Sequence, residues 1–341
     1  MLGYTAAWAA TPDGGLGPAK NVADWEDYVE HVVARYSRPP FNLRYFQVWN
    51  EPTWEPLTFW KRTGPEWIDL VYLPAAKIIR RYGCRVVLGG WAGVDYAHLF
   101  DALEYHEAWR WTDIIDVHYC GSTVWQEIYD RYLKDSKCRG AWQTELGFHP
   151  FPEYIANLYP RAMYWALGHG WTDDPDKYKL FWFASWGAGP DGPNCLTMPG
   201  DQGNNTLTAH GLRLLTLTQV FGDGQLSVFE NYTTDPPLPP TLDEEQPTSL
   251  GFRVGGKLVI TLILDADTLK ANPSVELTLA NLPAKPADVK LVGSTGQTRS
   301  LPFTFEEGKL TCPVPMSDLP CEVARNWGRE WKVAVGYVLI A

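Results

Sequence analysis

The run YFQVWNEP, residues 45–52, decides the fold. Tyr45, Phe46, Val48 and Trp49 are the aromatic and β-branched residues that suit a pleated, buried surface, so the run opens as a core strand. It closes on Asn50, Glu51 and Pro52, which a core strand has no reason to carry. The same layout recurs twice. GAWQTELGF (140–148) delivers Glu145 after its apolar part, and IIDVHYCG (114–121) delivers His118 and Tyr119. Working outward, we expect further strands at Leu2–Trp8, Arg85–Gly89 and Leu180–Ala184. Helical spacing lies between them. Trp25, Tyr28, Val29, Val32 and Tyr36 form one apolar stripe, behind an acidic first turn of Asp24, Glu26 and Asp27 that complements the helix dipole. Residues 67–82 repeat the pattern up to Gly83, and 122–137, 152–168 and 206–221 do likewise. Strands alternating with helices mean βα units and a parallel sheet.

After Gly224 the texture changes. The stretches DPPLPP and DEEQP between 235 and 247 read as a surface loop, and short alternating strands follow at Lys257–Leu264, Ser274–Ala280, Asp288–Val292 and Val333–Ile340. Strands of this kind separated by Pro and Gly turns suggest a β-sandwich. Two domains are therefore expected, an α/β catalytic part over 1–221 and a β-sandwich accessory part over 222–341.

Composition narrows the function. The 341 residues carry 29 basic and 40 acidic side chains, a net charge of −11, and no basic block; neither nucleic acid nor an anionic membrane is expected as a partner. The N-terminal MLGYTAAWAATPDGG has no basic n-region and no long apolar run, so it does not read as a signal peptide. No apolar stretch approaches the ~18 residues of a membrane span, so the chain is expected to be soluble. The six cysteines show no CxxC spacing and the histidines are scattered, so no metal or other cofactor is expected.

In a parallel α/β barrel the carboxyl ends of the strands form the active face. Glu51 and Glu145 delivered to that face, with His118 and Tyr119 beside them, make a candidate acid/base or nucleophilic pair. The chain is also rich in flat apolar rings, 17 Trp and 17 Tyr. Most pack in the core, but Trp8, Trp91 and Trp186 fall at or just beyond strand ends, where an indole can offer a flat apolar face and an N–H to a ligand.

At these residues the chain resembles the clan A retaining glycoside hydrolases, most closely family 39, with family 5 next. The resemblance rests on LGYTAAWA, VWNEP, VVLGGWAG, DVHYC, TELGF and FWFASWG, taken as strands three to eight of a TIM-type (β/α)8 barrel that lacks its first two strands. It implies Glu51 as acid/base and Glu145 as nucleophile. It also implies that Asn50 bonds a sugar 2-hydroxyl, and that Tyr119 and His118 line the reacting subsite with Trp186 as its aromatic floor. Trp142 is expected beneath the nucleophile. The implied activity is a retaining β-glycosidase on β-linked glucan or xylan. A non-catalytic carbohydrate-binding remnant and a transglycosylase using the same two Glu are the alternatives. Specificity is expected to lie in loops 50–63 and 187–205. A barrel without two strands presents two open sheet edges, so a homo-oligomer covering them is expected.

Overall fold

A computed structural model describes residues 1–341 apart from 148–149, 172–173, 189–191, 193, 201–204, 223 and 327–328. The 187–205 loop is thus only partly among the described residues. The chain divides into two compact units, Met1–Leu146 with Asp174–Trp182, and Gly147–Asp173 with Phe183–Ala341.

The first unit carries a partial barrel. Its strands are β1 (Tyr45–Gln47), β2 (Arg85–Val87), β3 (Trp91–Ala92), β4 (Ile114–His118), β5 (Gly140–Gly147) and β6 (Tyr178–Phe183). The sheet runs β1-β2-β4-β5-β6, with β3 beside β4. The pairs β1–β2, β2–β4, β3–β4 and β4–β5 are parallel, as the alternation of strand and helix requires. Among the described residues the row is open, not closed.

The expected first strand is a correction. Leu2–Trp8 forms no strand, and only Leu2 bridges in parallel to Val48. The Leu2 N–H donates to the Gln47 carbonyl at 2.7 Å and the Trp49 N–H to the Leu2 carbonyl at 2.7 Å. Gly3, at φ 153°, then turns the chain away, and residues 7–9 form a turn.

Helix Val22–Tyr36 fits its stripe, with Trp25, Val29 and Val33 buried and the Asn21 side chain capping Ala23 N–H. The 67–82 pattern is realised as Gly64–Trp67, a π-turn over Ile68–Tyr72, and Leu73–Arg81. A Thr63/Glu66 capping box starts it. Gly83 takes the left-handed φ of 68° that ends it. Asp113 meets Arg80, Arg85 and Arg139 at 3.3–4.0 Å, and Asp176 accepts from Tyr45. These charges tie the strand starts together, away from the strand ends that carry the candidate chemistry.

In the second unit a seven-stranded antiparallel sheet centres on Lys257–Asp265 and Arg329–Ile340. A four-stranded sheet of Tyr232–Asp235, Val275–Leu279, Lys309–Val314 and Thr304–Glu306 shares its core. Ile260, Leu262, Val275, Leu277, Leu310 and Val338 fill that core, all fully buried. Helices Glu153–Gly168 and Ala209–Phe221 form as their spacing implies. By contact they group with these sheets, although their spacing was read as part of the barrel segment. Glu153, fully buried, accepts from Arg213 at 3.2 Å and Ser294 at 3.0 Å. No helix among the described residues is long and apolar enough to cross a membrane.

Candidate active site

The strand ends bring Glu51, His118, Tyr119 and Glu145 together. β1 ends at Gln47, and the chain then threads Val48 and Trp49, both fully buried, before Glu51. Trp49 and Glu51 both adopt left-handed φ, 73° and 46°, which non-glycine residues rarely do. The Trp49 indole holds the first turn in place. Its N–H donates to the Phe59 carbonyl at 2.8 Å, and its ring meets Tyr4, Trp25 and Trp60 edge-on at 5.1–6.1 Å. The Glu51 N–H donates to the Gly89 carbonyl at 2.7 Å.

Glu145 arrives by a shift of register. Asp116 pairs with Trp142, but His118 pairs with Glu145, so β5 carries one more residue than β4 over this stretch. A bulge of this kind re-aims a side chain, and here it sets Glu145 opposite His118. Tyr119, at φ 55°, donates its N–H to the Glu145 carbonyl at 3.0 Å and its hydroxyl to Glu145 Oε1 at 2.5 Å. Burial and this bond to a carboxylate both hold the Tyr119 hydroxyl protonated, well above the usual tyrosine range.

His118 sits between the carboxylates. Its Nδ1 lies 3.0 Å from Glu51 Oε1 and 3.6 Å from Glu145 Oε2. Its Nε2 lies 3.0 Å from Thr144 Oγ1. Only Gly fits at position 90: a Cβ there would lie 2.2 Å from His118 Nε2, and its φ is 58°. Burial disfavours charge on the imidazole, but the Glu51 bond and the charges of Asp116, Glu145 and Glu51 outweigh it and raise the His118 pKa. Ligand-type atoms of Glu51, His118 and Glu145 all lie within 4.8 Å of one another. Glu51 and Glu145 are partly open to solvent, at 13% and 22% of their side-chain surface. The three side chains offer an oxygen–nitrogen set of the kind that can hold a cation, with His118 Nδ1 facing both carboxylates.

The remaining sequence expectations divide. Asn50 is half-buried and bonded to Tyr4. Trp91 is a correction: it is fully buried, donates its indole N–H to the Asp95 carbonyl at 2.9 Å and packs against Trp67, so no face is open to a sugar. Trp8 is 76% exposed and lines a small cavity of about 120 Å³ with Tyr4, Trp25 and Tyr28. Trp186 falls in the second unit, 52% exposed, with its indole N–H on Asn205 Oδ1 at 3.1 Å. Trp142 packs with Val87, Ile114 and Tyr45, toward the strand starts. Sequence reasoning missed three residues. Tyr4 reaches Asn50 and faces the charges of Glu51 and Glu145; burial raises its pKa, with those charges adding to the effect. Asp116 and Thr144 lie behind His118. A buried Asp two residues before His118 on the same strand was a readable signal, because alternate strand residues share a face.

The fold, a partial barrel of parallel βα units with separate antiparallel sheets, is similar to that of solved family 39 glycoside hydrolases. The chain is similar to a family 39 glycoside hydrolase from the gut symbiont Bacteroides cellulosilyticus WH2, at 12% identity and a TM-score of 0.56, over 95% of this chain and 63% of that one. It is similar also to a glucosidase from Croceicoccus marinus, at 12% identity and 0.53, over 95% and 75%. A monomeric β-xylosidase from Caulobacter crescentus CB15 matches at 14% identity and 0.50, over 99% and 78%. The chain thus spans less than two-thirds of the length of the first of these. No protein-family model matches the chain, and no curated protein matches it.

Proposed function

We propose that this chain is a retaining β-glycoside hydrolase acting on β-linked glucan or xylan chains and oligosaccharides, with residues 1–221 as its catalytic part and 222–341 as a β-sandwich accessory part. One observation carries the reading: carboxylate oxygens of Glu51 and Glu145 within 4.8 Å of each other, with the His118 ring between them. Retaining enzymes need their carboxyls about 5–5.5 Å apart, whereas inverting ones leave about 6.5–9.5 Å for a water. Glu145, held by Tyr119, attacks the anomeric carbon and forms a glycosyl ester, while Glu51 gives its proton to the leaving oxygen. Water then attacks the ester, Glu51 takes its proton, and the sugar leaves with its configuration kept. Asn50 and Tyr4 are the candidate partners for hydroxyls of the reacting sugar, and Trp8 is a candidate stacking face for a neighbouring sugar unit.

The test is hydrolysis of aryl β-glucosides and β-xylosides and of a soluble glucan and xylan. Release of a β-configured sugar as first product supports the reading. Binding without turnover would make the chain a carbohydrate-binding protein, and transfer to an added alcohol in preference to water would make it a transglycosylase.

A further inference from the structure

Behind His118 lies a charged group that the proposed mechanism does not use. Asp116 is fully buried on β4. It accepts the Thr144 N–H at Oδ1 over 3.0 Å and the Thr144 hydroxyl at Oδ2 over 2.7 Å, and its Oδ2 lies 3.8 Å from His118 Nε2. A threonine hydroxyl has one proton to give. With that proton directed to Asp116, Thr144 Oγ1 can only accept from His118, so Nε2 across the 3.0 Å contact must carry a hydrogen. The tautomer of a histidine is set by the bond its other nitrogen makes. Above the raised pKa of His118, where the ring is neutral, Nδ1 is therefore a lone pair, and it faces Glu51.

We propose that Asp116 is a positioning residue for the acid/base step: acting through Thr144, it fixes the proton of His118 on Nε2 and so presents the Nδ1 lone pair to Glu51. The inference rests on the glycosidase reading of the same carboxylates. A lone pair at 3.0 Å accepts from Glu51 when that carboxyl carries the acid proton, and so orients the acid until the leaving oxygen takes the proton. That proton goes to the aglycone, and the proton of the attacking water later restores it. The other groups facing the ring are Glu145 at 3.6 Å and the Tyr119 ring, edge-on at 6.2 Å; the Cys120 thiol lies at the His118 carbonyl. None of these bonds Nε2. Both Asp116 oxygens accept from Thr144, the arrangement of an ionised carboxylate, while burial pushes the carboxyl up to about 6 against the opposing pull of His118 and those two bonds, so the lock loosens in acid.

Asp116→Asn reverses the chain of donors. The amide NH2 would donate to Thr144 Oγ1, the hydroxyl would turn to Nε2, and the ring would hold its proton on Nδ1 against Glu51. The ionised form of Glu51 would then be favoured. Two readouts test this: imidazole 15N shifts of His118, taken above the ring's own titration, and pH–rate profiles for phenyl and dinitrophenyl β-glycosides. We expect Nε2–H in the native protein and Nδ1–H in Asp116→Asn. The alkaline limb for the phenyl glycoside should fall by about one pH unit, roughly a tenfold rate loss on that limb. The loss should be much smaller for the dinitrophenyl glycoside, which needs no acid. Thr144→Val removes the acceptor at Nε2 and should also release the tautomer, whereas Thr144→Ser should keep Nε2–H. An unchanged tautomer in Asp116→Asn, or in Thr144→Val should the first variant not fold, overturns the proposal. If the native protein cleaves no glycoside, the glycosidase reading fails on its own while the nitrogen shifts still decide the tautomer.

Discussion

Replacing Tyr119 by Phe removes one atom, and the structure says what that atom does. Its hydroxyl donates to Glu145 Oε1 at 2.5 Å, from a backbone held at φ 55° with its own N–H on the Glu145 carbonyl. A hydrogen bond to a charged group contributes about 1.5–3 kcal/mol, which is roughly 10- to 150-fold in a rate constant. The bond is at full strength when Glu145 is an ionised carboxylate, and it weakens when that oxygen is esterified. It therefore stabilises the departing carboxylate of the second step more than it assists the attacking one of the first. Tyr119→Phe should slow breakdown of the glycosyl-enzyme by the larger part of that factor and its formation by much less. With a dinitrophenyl β-glycoside the result is a fall in kcat together with a fall in KM, nearly constant kcat/KM, and a burst of about one equivalent of phenolate per protein. Stopped-flow absorbance and intact mass of the quenched protein would read both. A fall in kcat/KM as large as that in kcat, with KM unchanged and no burst, would refute the reasoning, because Tyr119 would then act before the intermediate forms.

Four further outcomes are expected. Glu145→Ala should stop all turnover and be rescued by azide with inverted product, whereas Glu51→Ala should spare dinitrophenyl substrates far more than phenyl ones; equal losses on both substrates reverse the assignment. Gly90→Ala places a Cβ 2.2 Å from His118 Nε2 and should cost activity well beyond any change in melting temperature, measured by assay and calorimetry side by side. Arg213→Met strips the partner from Glu153, whose pKa burial already raises to about 7 from 4.5. Glu153 binds its proton more tightly folded than unfolded, so stability falls as pH rises across that window; the variant's loss, about 3–5 kcal/mol for an unpaired buried charge, should be larger at pH 8 than at pH 5 in urea unfolding. Because among the described residues the row of strands runs from the Leu2 bridge to β6 without closing, light scattering after size exclusion should give a multiple of 38.5 kDa; a stable monomer refutes the covering of one copy by another.

How much of this was legible depends on what each residue's signal was. Glu51, His118 and Glu145 could be found because a polar residue closing an apolar strand is itself the anomaly, and the parallel arrangement sends all such closings to one rim. Their meeting required only topology. Tyr4 could not be found this way. Its segment is a single bridge at Leu2, so the alternation that would have assigned Tyr4 and Trp8 to a face does not exist. Trp91 failed for the opposite reason. It belongs to a two-residue strand paired to β4, so its ring turns into the core against Trp67 instead of outward at the rim. Helices 153–168 and 209–221 showed their spacing but not their partner, because an apolar stripe fits a barrel or an antiparallel sheet equally well.

The rim itself is built from backbone that the chain does not adopt freely. Trp49, Glu51 and Tyr119 all hold left-handed φ, each costing on the order of 1–3 kcal/mol when the side chain is not glycine. Each is offset by contacts beside it: the Trp49 indole among Tyr4, Trp25 and Trp60, the Glu51 N–H on Gly89, and the Tyr119 N–H on Glu145. Relaxing any one of these turns would move a carboxylate or its hydrogen-bond donor. The aromatic richness of the chain therefore has a structural use. Large buried rings hold Trp49 in the turn that precedes Glu51, while backbone bonds to Gly89 and to Glu145 hold Glu51 and Tyr119 in theirs.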